Sequence, residues 1–365
     1  MAAKRRHSNK NPAILSHEFF IQNHAEIVSC IAMIFSLGLM FEITSPLSSL
    51  FIVIQHQTTF PMQEKVPDSV PSPAYYTSGL MDIPTILFHV LAAIAFHQVI
   101  QEYCLDKFNR KLHLSKMAHS KLSDTGVHLA FFLCSLWWAG YILFKENHSE
   151  VYTLGKRNPK HIYMTYMIKF FFIAQISYWL HIFPELYFQK VQKEDVGRRI
   201  SYASIYIGFI GAAYVLNFTR IAFVLLILQY TVEAVFHAFR IFSYAKKEDI
   251  ARRLYHLHSV LFVFARLASI ILSVLTFWYG LSLPLLEKQI VGSSDGTFNI
   301  PFFRLTALIA TVLLQVWQMW NFINVHIQKM REKSEIEVSI TDTKLDDEEN
   351  ISKHQEAEKK KKEKS

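Results

Sequence analysis

An all-α polytopic membrane protein with eight transmembrane helices is the fold this sequence predicts, and three observations predict it. Of the 365 residues, 51% are hydrophobic and 14% aromatic, while charged residues make up only 19%, below the share usual in soluble domains. Those charges fall almost entirely between apolar runs of about 17–24 residues, the length a bilayer crossing demands. Lysine and arginine, finally, alternate between rich and poor loops, as they do when a chain threads back and forth across a membrane.

The first run, residues 27–50, carries Glu42 and is interrupted by Pro46. A polar loop with Pro61, Pro67, Pro71 and Pro73 leads to the second run, 83–103, which contains His89 and His97. A basic stretch follows at 104–126, with no apolar period long enough to span. The third run, 127–144, has Trp137 and Trp138, and the fourth, 163–183, has Lys169, Gln175 and Trp179 before an expected helix break at Pro184. In the short fifth run, 200–216, Gly208, Gly211 and Ala212 form a small-residue face of the kind that lets helices approach closely. Only residues 217–220 separate it from the sixth run, 221–242, so these two predict a tight hairpin. The seventh, 257–280, contains Arg266, and the eighth, 300–323, contains Gln315 and Gln318. Beyond residue 330 the composition turns acidic and then lysine-rich, and the segment 331–365 reads as a disordered charged tail lacking apolar mass.

Eight crossings place both ends on one side. The N-terminal segment, 1–26, and the loops 104–126, 184–199 and 243–256 carry 17 Lys and Arg, against 7 in the opposite loops. By the positive-inside rule both termini are cytosolic. The formal net charge of +8 is therefore a mark of topology, not of affinity for a nucleic-acid sequence. Cys30, Cys104 and Cys134 lie in or beside apolar runs, which predicts free thiols. The first span follows polar residues with no small-residue cleavage site, so it reads as retained. Sequons at Asn147 and Asn217 face the lumen by this count but hug helix ends, which makes Asn147 a poor glycosylation site.

The polar residues inside the runs are the candidate site. On the sixth run Gln229, Glu233 and His237 fall four apart and share a face. At ~1.5 Å per residue, Glu233 and Arg266 each lie about 14 Å from the cytosolic end of their helices. Equal depth and opposite charge predict an ion pair, since neither charge is tolerated alone near mid-bilayer. Glu42 and Lys169 match in depth near the lumenal ends and form a second predicted pair. Arg304, Thr311, Gln315 and Gln318 recur near helical period on the eighth run. Two readings of these groups stand side by side: interhelical hydrogen-bond glue, and a polar cavity lined by Gln229, Glu233, His237, Arg266, Gln315 and Gln318. No catalytic residue, metal ligand set or cofactor motif is predicted. The chain has no HExxH, no adjacent histidine pair, no Cys-x-x-Cys and no GxSxG, and His89, His97 and His181 read as structural.

Long phrases then carry a resemblance. LSHEFFIQNHAEIVSC followed by GLMFE, then HQVIQEYCLDKFNRKLHLSKMAHSK, then AQISYWLHIFPELYFQKVQKEDV, resemble the translocating chain-associated membrane proteins. The resemblance runs from about residue 14 to about residue 332. It implies residence in the endoplasmic reticulum membrane, beside the Sec translocon channel, in contact with signal sequences of nascent polypeptides. It also implies membership of the wider TLC-domain group, with a six-helix TLC-type bundle over residues 117–326 preceded by two helices at 27–103. Enzymes of that group use an adjacent histidine pair, and by helix order that region corresponds here to Tyr206, Ile207, Gly208 and Phe209, which removes the acid–base pair. In the first lumenal loop, where family members often carry a sequon, this chain has Gln55, His56 and Gln57. The resemblance thus implies a non-enzymatic accessory of translocation or membrane insertion; the alternative of another class is a TLC-type protein that binds or modifies a ceramide- or phospholipid-like lipid. Basic cytosolic residues such as Lys107, Arg110, Arg198, Arg199, Arg252 and Arg253 suit either ribosomal RNA phosphate or anionic membrane lipids.

Overall fold

A computed structural model describes residues 16–58, 74–112, 116–145, 163–188, 193–282 and 300–362. Two compact units result, Met1–Leu308 and Ile309–Ser365. The Asn147 sequon lies outside the described residues.

The first unit starts with α1 (His17–Gln22), α2 (His24–Gly38) and α3 (Ser45–Ile52). The single span expected over 27–50 is thus two helices, because the chain turns through residues 39–44 and restarts with Pro46 near the new N-terminus, where a missing N–H costs nothing. α4 (Asp82–Val99) widens into a π-helical turn, Ile100–Leu105, and continues as α5 (Asp106–Leu112). α6 (Lys116–Lys145) begins well before its apolar run. α7 (Tyr166–Phe188) passes through Pro184, where a break was expected. The missing N–H of Pro184 costs one bond, to the Leu180 carbonyl a turn earlier, and the helix runs on for one further turn to Phe188. α8 (Lys193–Val215) and α9 (Thr219–Tyr244) follow one another across the short reversal expected, but not as the tight hairpin: α8 packs mainly on α7, and α9 on α6 and α10. Asn217 adopts φ 57° at the reversal, a left-handed conformation that asparagine tolerates better than most residues. α10 (Glu248–Val274) ends in a second π-helical turn, Leu275–Tyr279.

Six helical segments among the described residues are long and apolar enough to cross a membrane: Asp82–Phe108, Ala118–Lys145, Tyr166–Phe188, Thr219–Tyr244, Glu248–Tyr279 and Pro301–Glu332. α2 is too short to be one of them, and α8 opens with Lys-Glu-Asp-Val-Gly-Arg-Arg.

Helix α7 is the centre of the first unit. Its apolar window is 61% buried, against 17% for α4. Its Trp179 stacks on Tyr206 of α8, with centroids 4.0 Å apart and planes 3° from parallel, and Phe132, Phe171, Phe172 and Phe223 complete an aromatic core. Outward residues differ in kind. On α10, Leu257, Val260, Phe264, Leu267 and Ile271 are exposed at helical spacing, the stripe expected of a helix that faces lipid. One element escapes the all-helical reading: two-residue strands β1 (Gln57–Thr58), β2 (Tyr75–Tyr76) and β3 (Met164–Thr165) pair antiparallel at one end of the bundle.

The eighth run becomes α11 (Pro301–Lys362), 62 residues without interruption. The disordered tail expected after residue 330 is here continuous helix. No glycine or proline follows Pro301, and the Glu- and Lys-rich segment consists largely of residues with good helix propensity.

Candidate functional site in the helix bundle

The four-residue spacing on α9 does bring Gln229, Glu233 and His237 along one side, where Gln229 and Glu233 meet α8 and α10 while the His237 ring packs on His128 and Phe132 of α6. Gln229 donates from Nε2 to Glu233 Oε1 at 2.7 Å and to Tyr206 Oη at 3.0 Å. Its Oε1 accepts from the Arg266 guanidinium. An amide has both an acceptor and two donors, so Gln229 bridges the cation and the carboxylate. Tyr206 in turn donates to Glu233 Oε1 at 3.4 Å, and His237 Nε2 lies 3.9 Å from Glu233 Oε2. Arg266 is 1% exposed and also sits over the Phe262 ring at 5.0 Å, a favourable place for a guanidinium. Equal depth predicted a direct ion pair of Glu233 with Arg266; the contact described runs from Arg266 to Gln229 and from Gln229 to Glu233. What depth alone missed is the glutamine between them.

A neutral chain of hydrogen bonds runs beside this network. Trp179 Nε1 donates to Tyr230 Oη at 3.3 Å, Tyr230 to Gln175 Oε1 at 2.8 Å, and Gln175 Nε2 to Ser135 Oγ at 3.1 Å. Three helices, α6, α7 and α9, are tied here by buried polar groups with matched partners, which is how polar residues persist inside a membrane bundle. Gln315 and Gln318 belong to the second unit, on a face of α11 with Thr311; Thr311 and Gln315 are buried and Gln318 is half-buried.

The predicted pairing of Lys169 with Glu42 is incorrect. Lys169 Nζ forms an ion pair with Asp82 Oδ1 at 2.8 Å, and both side chains are fully buried. The ammonium also donates to the carbonyls of Gln55 at 2.9 Å and Thr77 at 2.7 Å, next to β1 and β2. Asp82 Oδ2 accepts from Tyr214 Oη at 2.7 Å and from the Gly79 N–H at 2.9 Å. Glu42 is exposed in the turn between α2 and α3. The first run is not one straight helix, so the depth assigned to Glu42 does not apply.

The end of the bundle opposite the sheet holds a site that no sequence pattern singled out. A small, partly enclosed cavity is lined by His97 of α4, Asp124 and His128 of α6, His181 and Glu185 of α7, and Arg199 of α8. Arg199 forms an ion pair with Asp124, and both are partly exposed at the mouth. Deeper in, His97 Nδ1 faces His181 Nε2 at 3.2 Å, and His128 Nδ1 faces Tyr178 Oη at 3.0 Å. Each of these histidines reads alone as a structural residue, and the grouping arises only when four helices pack. One trace was present: Asp124/His128 and His181/Glu185 are both spaced by four, at the same end of adjacent helices. Among the described residues no group of three or more His, Cys, Asp or Glu is placed to hold a metal ion.

With this architecture established, known proteins locate it. The pattern of the TLC domain matches residues 121–324, which covers α6 to the membrane-length part of α11. Translocating chain-associated membrane protein 2 of Mus musculus is 39% identical over 333 residues, 91% of this chain and 86% of that protein. The chain belongs to the translocating chain-associated membrane protein family. The Homo sapiens protein of the same name is 37% identical over the same shares. Within the TLC region of this family member, Tyr206 occupies the stretch where the sequence comparison expected an enzyme's histidine pair, and it is engaged by Gln229 and Glu233.

Proposed function

We propose that this protein is an accessory of protein translocation at the endoplasmic reticulum, contacting signal sequences and nascent chains beside the Sec channel and aiding their insertion. The observation that carries the reading is kinship along 91% of the chain to proteins named for association with translocating chains. Those relatives carry no enzyme name, and the Gln229–Glu233–Tyr206–Arg266 cluster is occupied with its own hydrogen bonds, which suits a non-enzymatic role. In this reading the chain crosses the membrane eight times, with α2–α3 and α8 completing the six long helices and both termini in the cytosol. Residues 27–103 form the preceding helical pair, 117–326 the TLC-like bundle, and 331–365 a charged cytosolic appendage. Client segments would meet Gln229, Glu233, His237 and Arg266 in the first unit, and Gln315 and Gln318 are proposed client contacts of the second. The basic cytosolic loops would lie against ribosomal RNA or anionic lipid.

A charge near mid-bilayer costs several kcal/mol. If the bundle offsets ~1.4 kcal/mol of that for a client, insertion changes about tenfold. Proteoliposomes holding the Sec channel with and without this protein test the point. A client with a charge in its signal should insert about tenfold better when the protein is present, and a strongly apolar client should not respond. Equal insertion of both clients in both preparations would remove the proposal. The cavity at the histidine end supports one other reading, a lipid-handling protein, which predicts the same null result in that assay.

A further inference from the structure

Arg304 opens the polar series on α11, and the proposed role in insertion does not use it. It stands one turn into that helix, about 5 Å along the axis from Pro301, and belongs to the first unit. Its side chain is 8% exposed. One turn further on, Ala307 and Leu308 join an apolar cluster with Phe218 and Phe277. The guanidinium thus lies against apolar groups, where a charge without compensation is costly.

The compensation present is partial. Nη1 donates to the Leu281 carbonyl at 3.0 Å, in the terminal turn Gly280–Ser282 that closes the helical run of α10. The negative end of a helix amounts to about half a charge, so about half of the cation is left unanswered. Among the described residues Arg304 forms no ion pair with a carboxylate, and its Nε is buried without a hydrogen-bond partner. The choice of Nη1 also decides shape. A guanidinium meets an oxyanion best through two parallel N–H bonds, and the edge formed by Nε and Nη2 is the one that the Leu281 contact leaves unused.

We infer that the Nε–Nη2 edge of Arg304 binds the phosphate of a phospholipid in the leaflet where α11 begins. A phosphodiester supplies two acceptor oxygens and the missing negative charge, in the geometry a guanidinium fork matches. The level suits a headgroup. Trp278 and Tyr279, 55% and 61% exposed, come just before Leu281 in the chain, and exposed aromatic residues of these two types mark the boundary between membrane and water. Ile300 and Phe302, on either side of Pro301, are exposed as well and offer apolar surface to an acyl chain. The inference stands apart from the proposed role in insertion, because a resident lipid needs no client.

The test equilibrates the full-length protein, in a maltoside detergent, with equal amounts of phosphatidylglycerol and monogalactosyldiacylglycerol of identical chains. Native mass spectrometry then counts the lipids that stay bound. Charge-assisted hydrogen bonds to the phosphate should favour phosphatidylglycerol about tenfold or more. Arg304→Gln should abolish that preference, and Arg304→Lys, which keeps the charge without the fork, should lose most of it. Arg198→Gln, at an exposed cation of α8, should keep it. Inorganic phosphate at millimolar concentration should leave the lipid in place, and displacement by it would overturn the lipid source. Equal retention of the two lipids by the unmodified protein would overturn the inference whether or not any variant folds. So would a preference that survives intact in a folded Arg304→Gln protein. A tenfold gain in phosphatidylglycerol on Glu287→Gln with Asp295→Asn would also overturn it, since a carboxylate of this chain would then be the native occupant of the edge.

Discussion

Lys169→Met is expected to be the most destabilising single substitution in the bundle. The ammonium is fully buried, pairs with Asp82 at 2.8 Å and secures two backbone carbonyls. Removing it leaves a buried carboxylate without its counter-charge, a change that costs about 3–5 kcal/mol. The carbonyls of Gln55 and Thr77 lose a donor at the same time, so the sheet end should loosen first. Asp82→Asn should cost less, because the two carbonyls still accept from Lys169. The double variant Lys169→Met with Asp82→Asn should recover much of the loss, since no charge is then stranded. Thermal unfolding in detergent and protease sensitivity near residues 55–58 would rank the three. Identical behaviour of Lys169→Met and the unmodified protein would show that the pair carries no structural weight.

Arg266→Leu is the second large effect. Its guanidinium supplies the donor for Gln229 Oε1 and the positive charge nearest the Gln229–Glu233 pair. Taking it away leaves a buried amide oxygen without that donor and a carboxylate poorly compensated, for a loss of about 3 kcal/mol. Arg266→Lys should rescue only partly, because a compact ammonium does not reproduce the planar fork. Glu233→Gln should be milder than Arg266→Leu, since an amide oxygen at the same place still accepts from Gln229 and Tyr206. Melting temperatures of the three variants check the order. A Glu233→Gln protein as unstable as Arg266→Leu would place the weight on the carboxylate and contradict the bridging role of Gln229.

What the sequence revealed of this site follows from how far each relation reaches along the chain. Gln229, Glu233 and His237 share one helix, so their common face is a matter of spacing. Glu233 and Arg266 sit on helices joined by a short turn, and there counting residues from that turn gives depth. The Lys169 partner was missed because Asp82 stands at the first position of α4 and reads as loop. Glu42 was favoured only by treating residues 27–50 as one rod. The cavity was invisible for a different reason: His97, His128, His181, Glu185 and Arg199 come from four helices far apart in sequence, and no local period connects them. The length of α11 was underestimated because charge was taken as disorder where helix propensity and the absence of breakers favour helix.

The central claim is that client segments touch the polar face formed by α9 and its neighbours. Probes placed in the client, not in the network, test it without disturbing Gln229. A photoreactive residue in a weakly apolar signal sequence on a ribosome-bound chain would be activated in microsomes, and the adducts mapped by mass spectrometry. The account predicts adducts on α9 and α10 close to Gln229 and Arg266, lost when the chain is released. Adducts confined to lipid or to the cytosolic loops, with those helices unlabelled, would contradict it.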